Sequence, residues 1–249
     1  MNTQPNLAKW AIVTICISTI LGVTPLWGKG DSKAVDDYNF AAWLYNAGKH
    51  EMAIESYEGF LKHYPDHEKQ ADARFGLAQS HFHLGAFAKA AQQYDDIRAK
   101  HPDFAQRAEV LFQLGQSRVA LEQFKDAEGL FKEVSENHDE HYLADWAIAR
   151  RAACLTSLGR NAEAEALLAP FAEKYTAQKG SVSDLPATKA MLQKVDNAGV
   201  KAGAAFLSLI ERSAFTLGLA QFNQEHFGDA AAQFKQFQAQ YPDSALRDE

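Results

Sequence analysis

Cysteine is nearly missing from this chain. Cys16 and Cys154 are the only two in 249 residues, one in an apolar leader and one alone in the body. That excludes an intrachain disulfide framework, and a lone buried cysteine behaves as a small hydrophobe. Positive charge is scarce too: the formal net charge is −7, and residues 1–30 hold two lysines and no acid, so the remainder is more acidic still. Such a body repels nucleic acid and anionic membrane surfaces, and no Lys/Arg run offers a local basic patch. The signatures of catalysis are also missing: no Gly-rich phosphate loop, no H-E-x-x-H and no G-x-S-x-G. Carboxylates lie along solvent faces at helical spacing, the pattern of a solvated surface. No enzyme activity, cofactor or metal is expected.

Nine histidines do not change that expectation. His81 and His83 are two apart and point to different sides of a helix. His138 and His141 are better spaced, but they sit in what reads as a polar loop. His63, His101 and His138 close helices, where a basic group suits the negative end of the dipole.

One long uncharged apolar run is present, Trp10–Trp27, preceded by Lys9. It reads as an N-terminal hydrophobic helix serving as a signal peptide or a signal-anchor over residues 1–30. No clear small-x-small cleavage site precedes Gly28, and Pro25 interrupts the run. The expectation is an exported chain, periplasmic or membrane-anchored, with membrane contact only through this segment.

The body is periodic. Ala53, Ala90, Ala127 and Ala164 are spaced by 37 residues, each opening a short amphipathic stretch. With that alanine at repeat position 20, units start near 34, 71, 108 and 145. A fifth, over 211–244, carries Ala230. Position 8 is small (Ala41, Ala78, Gly115, Ala152, Gly218), and position 7 is large and apolar (Phe40, Leu77, Leu114, Leu217) except at Arg151. Glycine at position 15 (Gly48, Gly85, Gly159) suits a turn, because it accepts positive φ without steric cost. Position 24 is aromatic or Leu (Tyr57, Tyr94, Phe131, Leu168, Phe234), one helical turn from the alanine. Pro65, Pro102 and Pro242 close units, and the aspartate after each is placed to cap the next helix.

This frame resembles the tetratricopeptide repeat, a helix–turn–helix unit of about 34 residues. The resemblance implies an all-α fold: a right-handed superhelical solenoid of antiparallel helix pairs. The family's tryptophan at position 4 is replaced, position 27 is bulky (Phe60, Ile97, Val134, Phe171, Phe237), and each step is longer by three residues (68–70, 105–107, 142–144). Three residues are nearly one turn, so each first helix is expected to start a turn early. The long units ending in an aromatic, Pro and Asp look similar to those of bacterial envelope proteins, the outer-membrane assembly lipoprotein and the Tol–Pal coordinator. Residues 176–210 break the ladder as an insert. It is loop-like at first and helical from Ala187, with Met191, Leu192 and Val195 as one face. Residues 245–249 look like the opening of a truncated further unit.

In this family the first helices line a concave groove. The resemblance therefore implies a peptide-binding face of Tyr38, Tyr45, Asn46, Phe75, Gln79, Phe82, His83, Phe112, Gln116, Phe215, Phe222 and Asn223. Rings supply contact area while amides bond peptide backbone. Equally, the rings at position 5 suit packing between neighbouring helices. The expected function is a non-enzymatic scaffold for protein partners, which bind in the groove, and the leader places it in the bacterial envelope. Two alternatives remain open at this point: the N-terminal adaptor region of a longer protein, and a small-ligand or metal-binding solenoid.

Overall fold

The computed structural model describes residues 29–175, 185–197 and 203–248. The apolar run 10–27 lies outside the described residues, and within them no helix is long and apolar enough to cross a membrane. Every described element is helical. The pairs are α1 (Lys29–Asn46) with α2 (His50–His63), α3 (Gln70–His83) with α4 (Phe87–Lys100), and α5 (Arg107–Ala120) with α6 (Phe124–Asn137). Next come α7 (Leu143–Ser157) with α8 (Asn161–Tyr175), then α9 (Pro186–Asn197), and finally α10 (Gly203–Phe222) with α11 (Phe227–Gln240).

Helix α6 shows why these segments fold as they do. Its buried residues Ala127, Leu130, Phe131 and Val134 recur at three- and four-residue steps, leaving the opposite side to Lys125, Lys132 and Glu136. Burial of a residue such as Leu130 or Phe131 contributes about 1.5–3 kcal/mol. Small residues at position 8 let the helices of a pair approach closely. A Cβ added at Gly115 would lie 2.7 Å from the Phe131 ring, and one at Gly218 would lie 2.7 Å from Phe234.

Within each pair the chain reverses through the same hydrogen-bonded turn. A backbone amide a few residues past the first helix reaches back to that helix: Lys49 to Leu44 O (2.9 Å), Ala86 to His81 O (2.9 Å), Gln123 to Arg118 O (2.8 Å), Arg160 to Leu155 O (2.9 Å), His226 to Gln221 O (3.0 Å). This is the Schellman arrangement, which needs a left-handed residue just before that amide. Gly48, Gly85 and Gly159 fill the place, as their spacing suggests. Glu122 (φ 59°) and Glu225 (φ 63°) adopt the same conformation without a glycine's freedom.

The connections between pairs differ from expectation. The three additional residues do not lengthen the first helices by a turn; α3 and α5 begin at Gln70 and Arg107. Instead they form a second turn after the Pro–Asp turn, with His67 N bonded to Tyr64 O (3.3 Å) and Gln70 N to His67 O (3.0 Å). The same pair of turns recurs with Phe104 N to His101 O (3.1 Å) and Arg107 N to Phe104 O (3.0 Å). This displaces Asp66 and Asp103 from the helix starts, which have no side-chain cap. Capping runs the other way. The buried Gln70 amide donates to the carbonyls of Leu61 (3.2 Å) and Tyr64 (2.9 Å) at the end of α2. Arg107 donates to Pro102 O (3.3 Å) after α4.

Arg151, the exception at position 7, is explained by charge. Its guanidinium meets Glu128 (2.7 Å) and Glu136 (3.2 Å) of α6, and Arg160 also reaches Glu128 (3.6 Å). An ion pair thus occupies the seam that leucine fills elsewhere. Phe40 is a second departure: it is 53% exposed where Leu77, Leu114 and Leu217 are buried, because no described element precedes α1.

The stack continues from α8 directly to α10, which packs on α7, α8 and α11. The stretch read as one helical segment is two helices, and α10 runs through the expected start of unit five at 211. Helix α9 stands aside from the ladder. Its Met191 is buried with Ala149, Phe171, Tyr175, Leu209 and Ile210, and Leu192 packs alongside. The Val195 side chain lies outside the described residues. Residues Ala245–Asp248 form one 3₁₀ turn.

Candidate functional site

The twelve residues of the expected face separate into two rows. At position 5 the rings sink into the stack. Tyr38 packs edge-on to Phe60 (5.9 Å between centroids), and Phe75 packs against Tyr94 (6.0 Å) and Phe104 (5.9 Å). Phe215 meets Phe234 (5.5 Å) and Phe237 (5.6 Å). Phe112 is fully a core residue, buried between Phe131 (5.4 Å) and Trp146 (6.4 Å), and it offers nothing to a ligand. The packing reading of position 5 therefore holds for Phe112 and most of Phe75.

The second row is accessible. Asn46, His83, Phe222 and Asn223 are exposed, while Tyr45, Gln79, Phe82 and Gln116 are half-buried. Rings here pair with the first residue of the following helix across the tight turn: Phe82 with Phe87 (5.3 Å), Phe222 with Phe227 (5.5 Å), Tyr45 with His50 (5.5 Å). The row is continuous between units one and two. Tyr45 Oη and His83 Nε2 share a hydrogen bond at 3.2 Å, and the His83 ring stacks on His50 at 4.6 Å with an interplanar angle of 7°. Burial, then the neighbouring His50, holds His83 below the usual imidazole range. In the neutral tautomer with its proton on Nδ1, Nε2 accepts from the Tyr45 hydroxyl; a protonated Nε2 donates to the phenol oxygen instead. Burial pushes the Tyr45 phenol up, keeping it a donor.

The other end of the face is charged. Lys69 pairs with Asp72 (3.2 Å) and lies over the Tyr38 ring (5.7 Å). His141 meets Glu109 at 3.3 Å. Burial opposes ionisation of Glu109, but its bond to His141 prevails and holds the carboxyl below the usual range. The His141 ring is thus tied to α5. No group of three or more metal-type side chains occurs among the described residues.

The insert was not foreseen as part of this face. Ala149 holds position 5 of α7 and is buried in one cluster with Phe171, Tyr175, Leu209, Ile210 and Met191 of α9, with Trp146 and Ile148 alongside. The face is consequently open over α1, α3 and α5 and covered at α7. Periodicity could show that a segment was inserted, but only tertiary contacts show where it lands.

The helix pairs can now be compared with known proteins. Tetratricopeptide-repeat family models match residues 39–103 and 212–244. These two segments are tetratricopeptide repeats. No curated protein matches the chain. Among solved structures, YrrB, described as a TPR protein with an unusual peptide-binding site, is 18% identical with a TM-score of 0.61 over 86% of this chain and 89% of its own. MamA of Desulfovibrio magneticus, from its residue 41 to the end, is 12% identical with a TM-score of 0.61 over 86% of this chain and 97% of its own. The apo form of RapI is 12% identical with a TM-score of 0.58, covering 83% of this chain and 69% of its own. At such identities the likeness establishes the fold. A TPR-like solenoid supports a protein-interaction scaffold, a generally non-enzymatic role.

Proposed function

We propose that this TPR chain is a non-enzymatic scaffold that binds a peptide segment of another protein across the first helices of units one to three, outside the cytoplasm in the bacterial envelope. The observation that carries the binding reading is the open row in which half-buried rings, Tyr45 and Phe82, alternate with the polar Asn46, Gln79, His83 and Gln116. Flat rings offer area at low entropic cost, and the polar groups match a peptide backbone. The peptide-binding site named for YrrB supports the same class of ligand. The uncharged run 10–27 supports export, and envelope proteins are then the partners within reach.

The test begins with peptides selected by display against the full chain. Gln79→Ala, Phe82→Ala and Gln116→Ala together are expected to weaken the selected peptides at least tenfold, with the helical circular dichroism unchanged. Equal affinity in wild type and triple variant would overturn the binding face. A phosphatase reporter fused after residue 30 tests location, activity being expected only if the fusion is exported.

A further inference from the structure

The first and last helix pairs among the described residues each leave an apolar face open. Between units, the second helix of one packs on the first helix of the next, and positions 7 and 10 of that first helix are closed off. Position 10 is Ser80, Ser117, Cys154 or Ala220, each buried beside its leucine or Arg151. Unit one breaks this rule. It carries Phe40 and Trp43 there, 53% and 56% exposed, with their rings stacked at 6.0 Å and 20° and Lys49 lying 5.4 Å over the indole. Tryptophan in place of serine is far too bulky for a seam as tight as the internal ones.

The far end offers the complementary half. Phe234 of unit five is half-exposed where its counterpart Tyr94 is fully buried, and Ala231 is exposed where Ala91 is buried. Beside them is an open apolar hollow of about 360 Å³, lined by Phe215, Leu219, Phe222, Phe234, Phe237 and Leu246. The hollow has room for a ring larger than the leucine that enters the internal seams. One chain thus carries an oversized aromatic knob at one end and an unfilled aromatic hollow at the other.

We infer that copies of this chain associate head to tail, with Phe40 and Trp43 of one copy seated in the Phe222 hollow of the next. The occupant is a second copy because the contact continues a seam that the molecule already makes between its own units. Such a contact is heterologous, joining different surfaces of identical subunits, so it propagates into an open chain unless curvature closes it. The net charge of −7 opposes association, which is therefore stronger at moderate salt than at low salt.

Sedimentation of the full chain, in detergent because of the apolar leader, tests this. Wild type is expected to grow with concentration beyond a dimer. Trp43→Glu and Phe222→Glu, both at exposed sites, should each sediment as monomers. Mixing the two should restore a dimer and nothing larger, since each supplies the half that the other lacks. Ala47→Cys with Gln238→Cys on one chain, with Cys16→Ser, should give a ladder with a bifunctional maleimide, and neither single cysteine should. The remaining thiol, Cys154, is buried, and burial pushes it up to about 11, so it stays silent. Four results overturn the inference: a monomeric wild type, dimers from a single cysteine (a symmetric contact), new cysteines shielded from a monofunctional maleimide in a monomer (a face covered by the chain itself), or shielding only on added vesicles (a membrane contact).

Discussion

Residues 34–137 and 143–240 are built from the same unit, but the first stretch is regular and the second is interrupted. In α1–α6 the step is constant, the double-turn connection recurs, and the first helices stay uncovered. From α7 onward, leucine gives way to Arg151, Pro170 lies inside α8, and Ala149 is buried in a cluster that includes Met191 of α9. The difference shows that the repeat needs only its close-packed seam. Ala152, Ala164 and Leu168 are as thoroughly buried as their counterparts upstream, although the surroundings have changed. In a solenoid each unit is stabilised by its neighbours, so the quality of each junction sets how far the two stretches unfold together.

The junction between them should be the most sensitive point. Arg151→Ala strands Glu128, only 12% exposed, and should cost about 3 kcal/mol, a value lowered because Arg160 still reaches that carboxylate. Urea unfolding should then split into two transitions; a single transition with unchanged midpoint would show that the junction contributes little. Next, Gly115→Ala should cost about 2 kcal/mol by forcing the fully buried Phe131 aside. Gly218→Ala meets Phe234 at the same 2.7 Å but should cost clearly less, because Phe234 is half-exposed and can swing outward. Equal losses from thermal melts would contradict the idea that the terminal seam is looser.

Acidification should act on the regular stretch first. His81 and His83, both on α3, are held below the ordinary value of 6.5 chiefly by burial. The unfolded chain therefore takes protons that the folded chain resists. The stability from these two rings is complete above pH 6.5 and falls as the pH drops below it. Hydrogen exchange should show α1–α4 opening sooner at the lower pH than α10–α11; uniform acceleration would count against this. The smallest effect is a gain: Glu122→Gly and Glu225→Gly should each stabilise by about 1 kcal/mol, by relieving a left-handed residue. A loss at either site in calorimetry would refute that reading.

The scaffold was legible in the sequence because close packing leaves a mark at fixed intervals. Ala53, Tyr57 and Gly48 announce a helix pair from their spacing alone. The turns at Glu122 and Glu225 were not legible, since the hydrogen-bonded frame imposes positive φ on whatever residue stands there. The candidate face was half legible. Spacing places Phe82 and Phe112 on the same side of their helices, but burial depends on neighbours far along the chain, and Trp146 closes over Phe112 alone. The exposure of Phe40 likewise depends on the absence of a described neighbour, which no local pattern records.

The double-turn connections also carry a mechanical meaning. Each is a joint, and its stiffness depends on the side chain that ties it down. The first is held by two bonds from Gln70, the second by Arg107 on Pro102. At the third, the equivalent residue is Ala144, which has nothing to tie with. There the His141 ring meets Glu109 of α5 at 3.3 Å, and a further tie comes from α9, where Lys194 donates to Glu140 O at 3.3 Å. A bending load on the superhelix would therefore meet two joints tied by a side chain of the following helix and one that is also braced by an outside strut. Loosening that strut would soften this joint and leave the other two as they are.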